Sequence, residues 1–444
     1  MSEKPKKEGL WKRVVHTFRD KKETAHYKFN KMGKLRVHEF TDPTAAREIL
    51  KQDANFGTPR FVKKGIGRFI GNALILDEGE SWQNMHNLMV DIFSPKGVNN
   101  TIAPIITDET DKMVDRWLKD GKPLDLEHEM RGLTAKVVMR VTFSNSISDK
   151  QAQDIIDAST VTIESFRKPH KLTVAMRMLG IHKEYIPRMK NTYKKSAATI
   201  DGILESIIAE RRKLPSQPDD ILGRLLDATD VATGKPLTQK QIKDQLVMFI
   251  VAGHETTAVG LTYSLHELLK NDKELKKVQA EVDNFTHGQH LSAGDYNRLP
   301  QVRDAFKEAM RLHPSAYEIA RECEKDTVVG GVEVKKFDLV RISVLEMQRA
   351  PDLWKDAAEF KPERFRKEPF PKAYLPFGTG PRVCLGMTMA LTEGTLALAE
   401  IFNRVEFNVT ERPTGEQLVF TMRPVGKLEA TAKERKPNPA QPTP

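Results

Sequence analysis

Three features of the sequence predict a mainly α-helical chain with small β-sheets. Residues 238 to about 270 hold an apolar pattern at helical spacing, without proline, for far longer than any strand could run. Residues 104 to 210 read as a succession of further helices, separated from the first by the turn-rich Leu214-Pro-Ser-Gln-Pro-Asp219 linker. β-Branched runs are short: Asp326 to Val334, with a Gly-Gly turn signal, and Leu339 to Val344.

Taken from the N-terminus, residues 1–34 form a basic extension. Within it Leu10, Trp11, Val14, Val15 and Phe18 alternate with basic residues at helical spacing. A helix packed on the body or a loose basic tail is favoured there over contact with a membrane surface. Leu35 to Phe40 alternates as a strand, and Asp42-Pro43 opens a helix. An apolar, glycine-interrupted stretch, Phe69 to Leu76, leads to Trp82 and His86, four residues apart and thus on one helical face. Thr238-Gln-Lys-Gln241 is a capping box heading the long helix, which at its rise per residue is about 48 Å long. At its centre, Ala252-Gly-His-Glu-Thr-Thr257 places a glycine, an acid and two threonines where they cost helix propensity. The helix Gln301 to Leu312 carries Glu308 and Arg311, and Val405 to Val409 adds a strand. The body runs over residues 35–431; 432–444, with four prolines among the last twelve residues, is a disordered tail.

Composition narrows the function. The formal charge of +10 is concentrated at the ends. Twelve basic against four acidic residues in 1–36 give +8, four against two in 427–444 give +2, and the body between is formally neutral. It shows no basic surface interleaved with aromatics, so nucleic acid is not the partner. With Cys323 and Cys384 as the only cysteines, no disulfide framework is expected and a reducing cytoplasm fits. No run approaches the roughly 18 uninterrupted apolar residues of a membrane span.

The chemistry centres on Phe377-Gly-Thr-Gly-Pro-Arg-Val-Cys-Leu-Gly386. Gly378 and Gly380 permit backbone geometry closed to other residues, and Pro381 stiffens the approach to Cys384. A proline-free apolar stripe follows, so the sulfur stands at the head of a helix, where thiolate is favoured and suited to a metal. A buried inert cysteine would need neither the glycines nor the arginine; a catalytic nucleophile would need a base that the sequence does not single out. The ten-residue pattern resembles the haem-binding loop of the cytochromes P450, and other motifs follow in that family's order. Within the family the chain is most similar to bacterial fatty-acid hydroxylases fused to a reductase.

The resemblance implies one large domain with the P450 fold, binding haem b (iron protoporphyrin IX) through Cys384 as axial ligand. Phe377, Gly378 and Gly386 would shape the loop, the small residues Ala252 and Gly253 would leave room at the iron for dioxygen, and Trp82, His86, Arg321 and Arg382 would hold the propionates. Thr256 with Glu255 would pass protons to dioxygen. Glu308, Arg311 and Arg364 would form a structural brace for the cysteine loop. Leu74, Ile75, Val251, Ala316 and Ile319 would line the substrate pocket, and residues 172–186 would correspond to a mobile lid. Tyr317 and Glu318 depart from the family pattern, and Glu318 would matter only if it faced the pocket. The implied activity is a monooxygenase inserting one atom of O2 into a fatty acid or similar apolar molecule. No dinucleotide fingerprint is present, so electrons would come from a ferredoxin, flavodoxin or flavin reductase, docking near Lys361, Arg366 and Lys372. A peroxide-driven peroxygenase and a haem-based sensor or carrier are the alternatives.

Overall fold

The computed structural model describes residues 19–163, 171–182, 191–286, 289–366 and 371–436. Its spine is the helix Gln239–Leu268, which begins at the expected capping box: Thr238 Oγ1 accepts from Gln241 N, and Gln241 Oε1 accepts from Thr238 N at 2.9 Å. This central helix is long and apolar enough to cross a membrane, but 83% of its most apolar window is buried inside the protein. It packs against Leu126–Phe143, against Pro300–Leu312, and against Met387–Arg404, the helix that follows the cysteine loop. All four contribute to one large apolar core.

Three of these helices meet around one phenyl ring. A Cβ added to Gly260 of the central helix would lie 3.0 Å from Phe306, and one added to Gly394 of the cysteine helix would lie 2.4 Å from it. Phe306 is itself on Pro300–Leu312 and fully buried. The two glycines are therefore notches cut for that ring, and the close-packed interior leaves no slack for a methyl group.

The remaining core lies under a six-stranded sheet of order Arg19–Thr24, Tyr27–Met32, Leu35–Phe40, Leu339–Ser343, Glu318–Cys323 and Phe56–Gly57. Only the Leu35–Phe40 to Leu339–Ser343 pairing is parallel. The strand Leu35–Phe40 falls where the alternation put it, but folded structure begins earlier than residue 35. Arg19–Thr24 and Tyr27–Met32, read as part of a basic extension, are the first two strands at one side of the sheet, with Arg19–Thr24 as its edge. Lysine-rich edges of this kind protect a sheet from pairing with another chain. The expected helix over residues 10–18 and the tail beyond residue 436 lie outside the described residues; residues 432–434, assigned to that tail, end the strand Glu429–Glu434.

Candidate haem-thiolate site

The cysteine loop is held from within by its own backbone. Cys384 N donates to Phe377 O at 3.0 Å, closing the loop, and Gly378 N donates to Leu375 O at 3.1 Å. Gly378 and Gly380 have φ of +68° and +76°, which favour glycine. At Gly380 a side chain is excluded twice over, since a Cβ would sit 2.4 Å from Leu50 O at the end of the helix Pro43–Lys51. The helix of the loop begins at Met387. Cys384 is exposed as a residue. Burial of its sulfur among protein atoms nonetheless pushes the thiol up, against the lowering by Gly386 N–H. A bound cation would deprotonate it outright.

The brace behind the loop assembles the three residues expected. Arg311 donates from Nε to Glu308 Oε2 and from Nη2 to Oε1, both at 2.8 Å, and Arg364 Nε reaches Oε1 at 2.9 Å. Glu308 and Arg311 are fully buried. Arg311 also donates to the carbonyls of Gln348 and Ala357 at 2.8 Å, so the charges fix main chain as well as one another. Gln348, not foreseen from the sequence, completes the link. Its amide nitrogen donates to Met310 O and Arg311 O at 3.0 Å, and its Oε1 accepts from Leu375 N at 2.8 Å, two residues before Phe377.

On the side of Trp82, cationic groups converge. The Trp82 and His86 rings lie 5.0 Å apart, and Arg382 stacks over Trp82 at 4.2 Å. Arg382 donates to Asp53 and, at 2.7 Å, to Asp77 O. Arg321 donates to Ala320 O, and among the described residues no carboxylate pairs with it; burial lowers its basicity. His86 Nδ1 is buried without a hydrogen-bond partner. Buried polar groups are normally satisfied. A half-buried guanidinium and an imidazole nitrogen without acid partners among the described residues fit an anionic group such as the propionates of haem.

The central helix turns its motif in two directions. Ala252 is accessible and Thr256, one turn on, shares its face, with the Thr256 hydroxyl bonded to Ala252 O at 2.9 Å. Gly253 faces the other way: a Cβ there would lie 2.7 Å from Val138 Cγ2. The glycine therefore permits close approach of Leu126–Phe143, and does not widen the space beside Ala252 as its motif position suggested. Glu255 is buried; burial would raise its carboxyl, but Thr421 and Arg423 hold it below the usual range. Thr421 Oγ1 donates to it at 2.6 Å and Arg423 Nε at 2.9 Å. His254 is a core residue bonded to Ile250 O.

Of the expected pocket residues, Leu74 and Val251 are buried, Ile319 is partly so, and Ile75 and Ala316 are exposed. Leu74 N is tied to Gln245 of the central helix at 2.9 Å, and Ile319 Cδ1 lies 3.7 Å from a Cβ built on Gly378. Glu318 bonds to Arg341 across the sheet. Of the lid segment, residues 183–186 lie outside the described residues; the helix Lys171–Met178 is pinned by Arg177 to the buried Glu322 at 2.6 Å.

The cytochrome P450 family model matches residues 10–428 of this chain. The chain belongs to the cytochrome P450 family. As in that family, its cofactor is haem b. It is 30% identical over 354 residues to a bifunctional cytochrome P450/NADPH–P450 reductase of Bacillus cereus, an alignment covering 77% of this chain and 33% of that protein. It is also 29% identical over 384 residues to the cyclooctat-9-en-7-ol 5-monooxygenase of Streptomyces melanosporofaciens, covering 84% of this chain and 81% of the relative. The P450 chain thus spans about a third of the length of the bifunctional relatives. In fold it is similar to the crystal structure of the cytochrome P450DA heme domain, with a TM-score of 0.79, 23% identity, and coverage of 94% and 91% of the two chains.

Proposed function

We propose that this P450 oxidises an apolar small molecule, of the fatty-acid or terpenoid kind, with electrons from a separate flavin or iron–sulfur donor. The observation that supports the substrate class is the ion pairing of the two acids adjacent in sequence to the expected pocket residues. Glu255 is paired with Arg423 and Glu318 with Arg341, leaving Ala252, Thr256, Val251, Leu74 and Ile319 to present no formal charge. An uncharged, mostly apolar wall suits a ligand bound by burial of surface. Cys384 would hold haem, with Arg321, His86 and Trp82 at its acids, and the bound group would supply the oxygen-activating chemistry.

The chain's own part is positioning and proton control. Thr256 can turn its hydroxyl from Ala252 O toward the accessible face, and Glu255 keeps a carboxylate one residue away that Arg423 holds ionised. A proton passing to that face would first be taken up from solvent by the Glu255 carboxylate as its hold on Arg423 loosens, then be handed to the Thr256 hydroxyl, which gives up its own proton at the face. The free thiols Cys323 and Cys384 agree with a reducing, cytoplasmic setting.

The test is a carbon monoxide difference spectrum of the haem-loaded protein, then spin-state titration with fatty acids, terpenes and cationic amines. NADPH-driven oxygen consumption with surrogate ferredoxin or flavodoxin donors follows. Apolar ligands are expected to shift the spin state and support turnover. Shifts confined to cationic amines would refute the substrate class, and a thiolate spectrum without turnover from any donor would favour a sensor or carrier.

A further inference from the structure

Far from the cysteine loop, three side chains with metal-binding atoms meet where two helices and a loop converge. Asp111 stands on Ala103–Asp120, Glu400 on the last turns of Met387–Arg404, and His290 on the loop after Asp272–Thr286. We propose that Asp111, His290 and Glu400 bind one divalent transition-metal cation of the zinc class.

Two carboxylates face one imidazole nitrogen. His290 Nδ1 lies 3.3 Å from Asp111 Oδ1 and 3.2 Å from Glu400 Oε1, and all three atoms fall within 4.8 Å of one another. An imidazole nitrogen carries at most one hydrogen, so it cannot satisfy both carboxylates fully. A cation about 2.1 Å from each atom would set them roughly 3.0 to 3.6 Å apart in tetrahedral or octahedral geometry, which matches both measured separations. One nitrogen and two carboxylate oxygens suit a borderline metal such as zinc; calcium prefers oxygen alone, and copper(I) prefers sulfur.

The three groups are held in place by outer partners. Leu291 N donates to Glu400 Oε2 at 3.3 Å, leaving Oε1 toward the imidazole. Asn403 Nδ2 donates to Gln289 O at 3.0 Å while its Oδ1 accepts from Thr286, which fixes the loop on the helix. Such partners orient ligands in established metal sites. One positive group competes: Arg404 Nη1 is 3.6 Å from Glu400 Oε1, but its Nη2 is engaged by Asp115 at 2.5 Å. The His290 side chain is 59% exposed, which gives a cation an entry path, whereas Glu400 is 1% exposed. Bound there, the cation would staple Ala103–Asp120 and the loop to the far end of the helix that starts beside Cys384.

The test uses the full, haem-loaded chain, stripped with a chelator and then dialysed against Zn2+, with metal per chain measured. One retained zinc and a raised thermal midpoint are expected. His290→Ala, a change on an exposed loop, and Asp111→Asn should each weaken binding by more than about 100-fold, beyond the effect of an outer-shell change. The carbon monoxide spectrum should stay as in the parent. X-ray absorption should report nitrogen and oxygen neighbours only. Absence of stoichiometric zinc, undiminished binding in His290→Ala, or a sulfur ligand would overturn the site.

Discussion

Glu255 gives its carboxylate to Arg423, 168 residues further along the chain, and not to its neighbour Thr256. The acid of the central helix is thereby kept ionised and buried, with its counter-charge on the strand Met422–Val425. Removing only one member of such a pair leaves an uncompensated buried charge. Arg423→Leu should therefore lower stability by about 3 kcal/mol, read as a fall in the urea midpoint at constant slope. The double change with Glu255→Gln should recover most of the loss; no recovery would mean that Arg423 acts elsewhere.

Thr256→Ala should leave folding and haem content intact, because the hydroxyl's one hydrogen bond here is to a carbonyl already within the helix. The expected change is a higher ratio of hydrogen peroxide released to product formed, measured with a saturating substrate. Equal coupling in parent and variant would remove Thr256 from proton delivery.

Gln348→Ala should strand Leu375 N and two helix-end carbonyls, costing about 1–3 kcal/mol, with a weakened thiolate band in the carbon monoxide spectrum. Gln348→Glu would keep the acceptor for Leu375 N and lose the donor, so an intermediate loss is expected. A full thiolate band in Gln348→Ala would show that the loop holds its shape without the link.

Gly253→Ala should destabilise by about 1–3 kcal/mol through contact with Val138, and Val138→Ala in the same chain should restore most of it. Because the clash is between helices and not at the accessible face, substrate-induced spin-state shifts should survive in the double variant. Their loss would return Gly253 to the oxygen side.

Glu416 supplies the pH dependence with the clearest sign. Burial would raise its carboxyl, but hydrogen bonds from His313 and Arg349 prevail and hold it at about 2. A depressed carboxyl contributes stability that is complete above its unfolded value of 4.5 and is lost as pH falls toward about 2. Solvent screening at this exposed residue limits the contribution to about 1–2 kcal/mol. Glu416→Gln should lower stability near pH 7 by that amount and flatten the stability curve between pH 4.5 and about 2.

What could be read from the chain and what could not follow from distance along it. The central helix, its cap and the Glu308–Arg311 pair are local patterns, visible at spacings of three and four. Asp53 beneath Arg382, Gln348 behind Leu375 and Arg423 on Glu255 are choices among many similar residues, settled only when distant segments meet. The strands at 19–32 were legible in part: Tyr27 and Phe29 alternate, but the surrounding lysines mask that pattern as a basic tail. Gly253 misled because a motif glycine and a helix-crossing glycine look alike. Only the position of Val138 separates them.

Phe306, seated between Gly260 and Gly394, acts as a gauge block. It joins the helix bearing Thr256 to the helix that follows Cys384 through a single ring of fixed width. The spacing of those two helices, which also pack on each other directly, thus rests in part on one rigid, uncharged ring. A larger residue at either notch, or a smaller one in the middle, would shift one helix against the other.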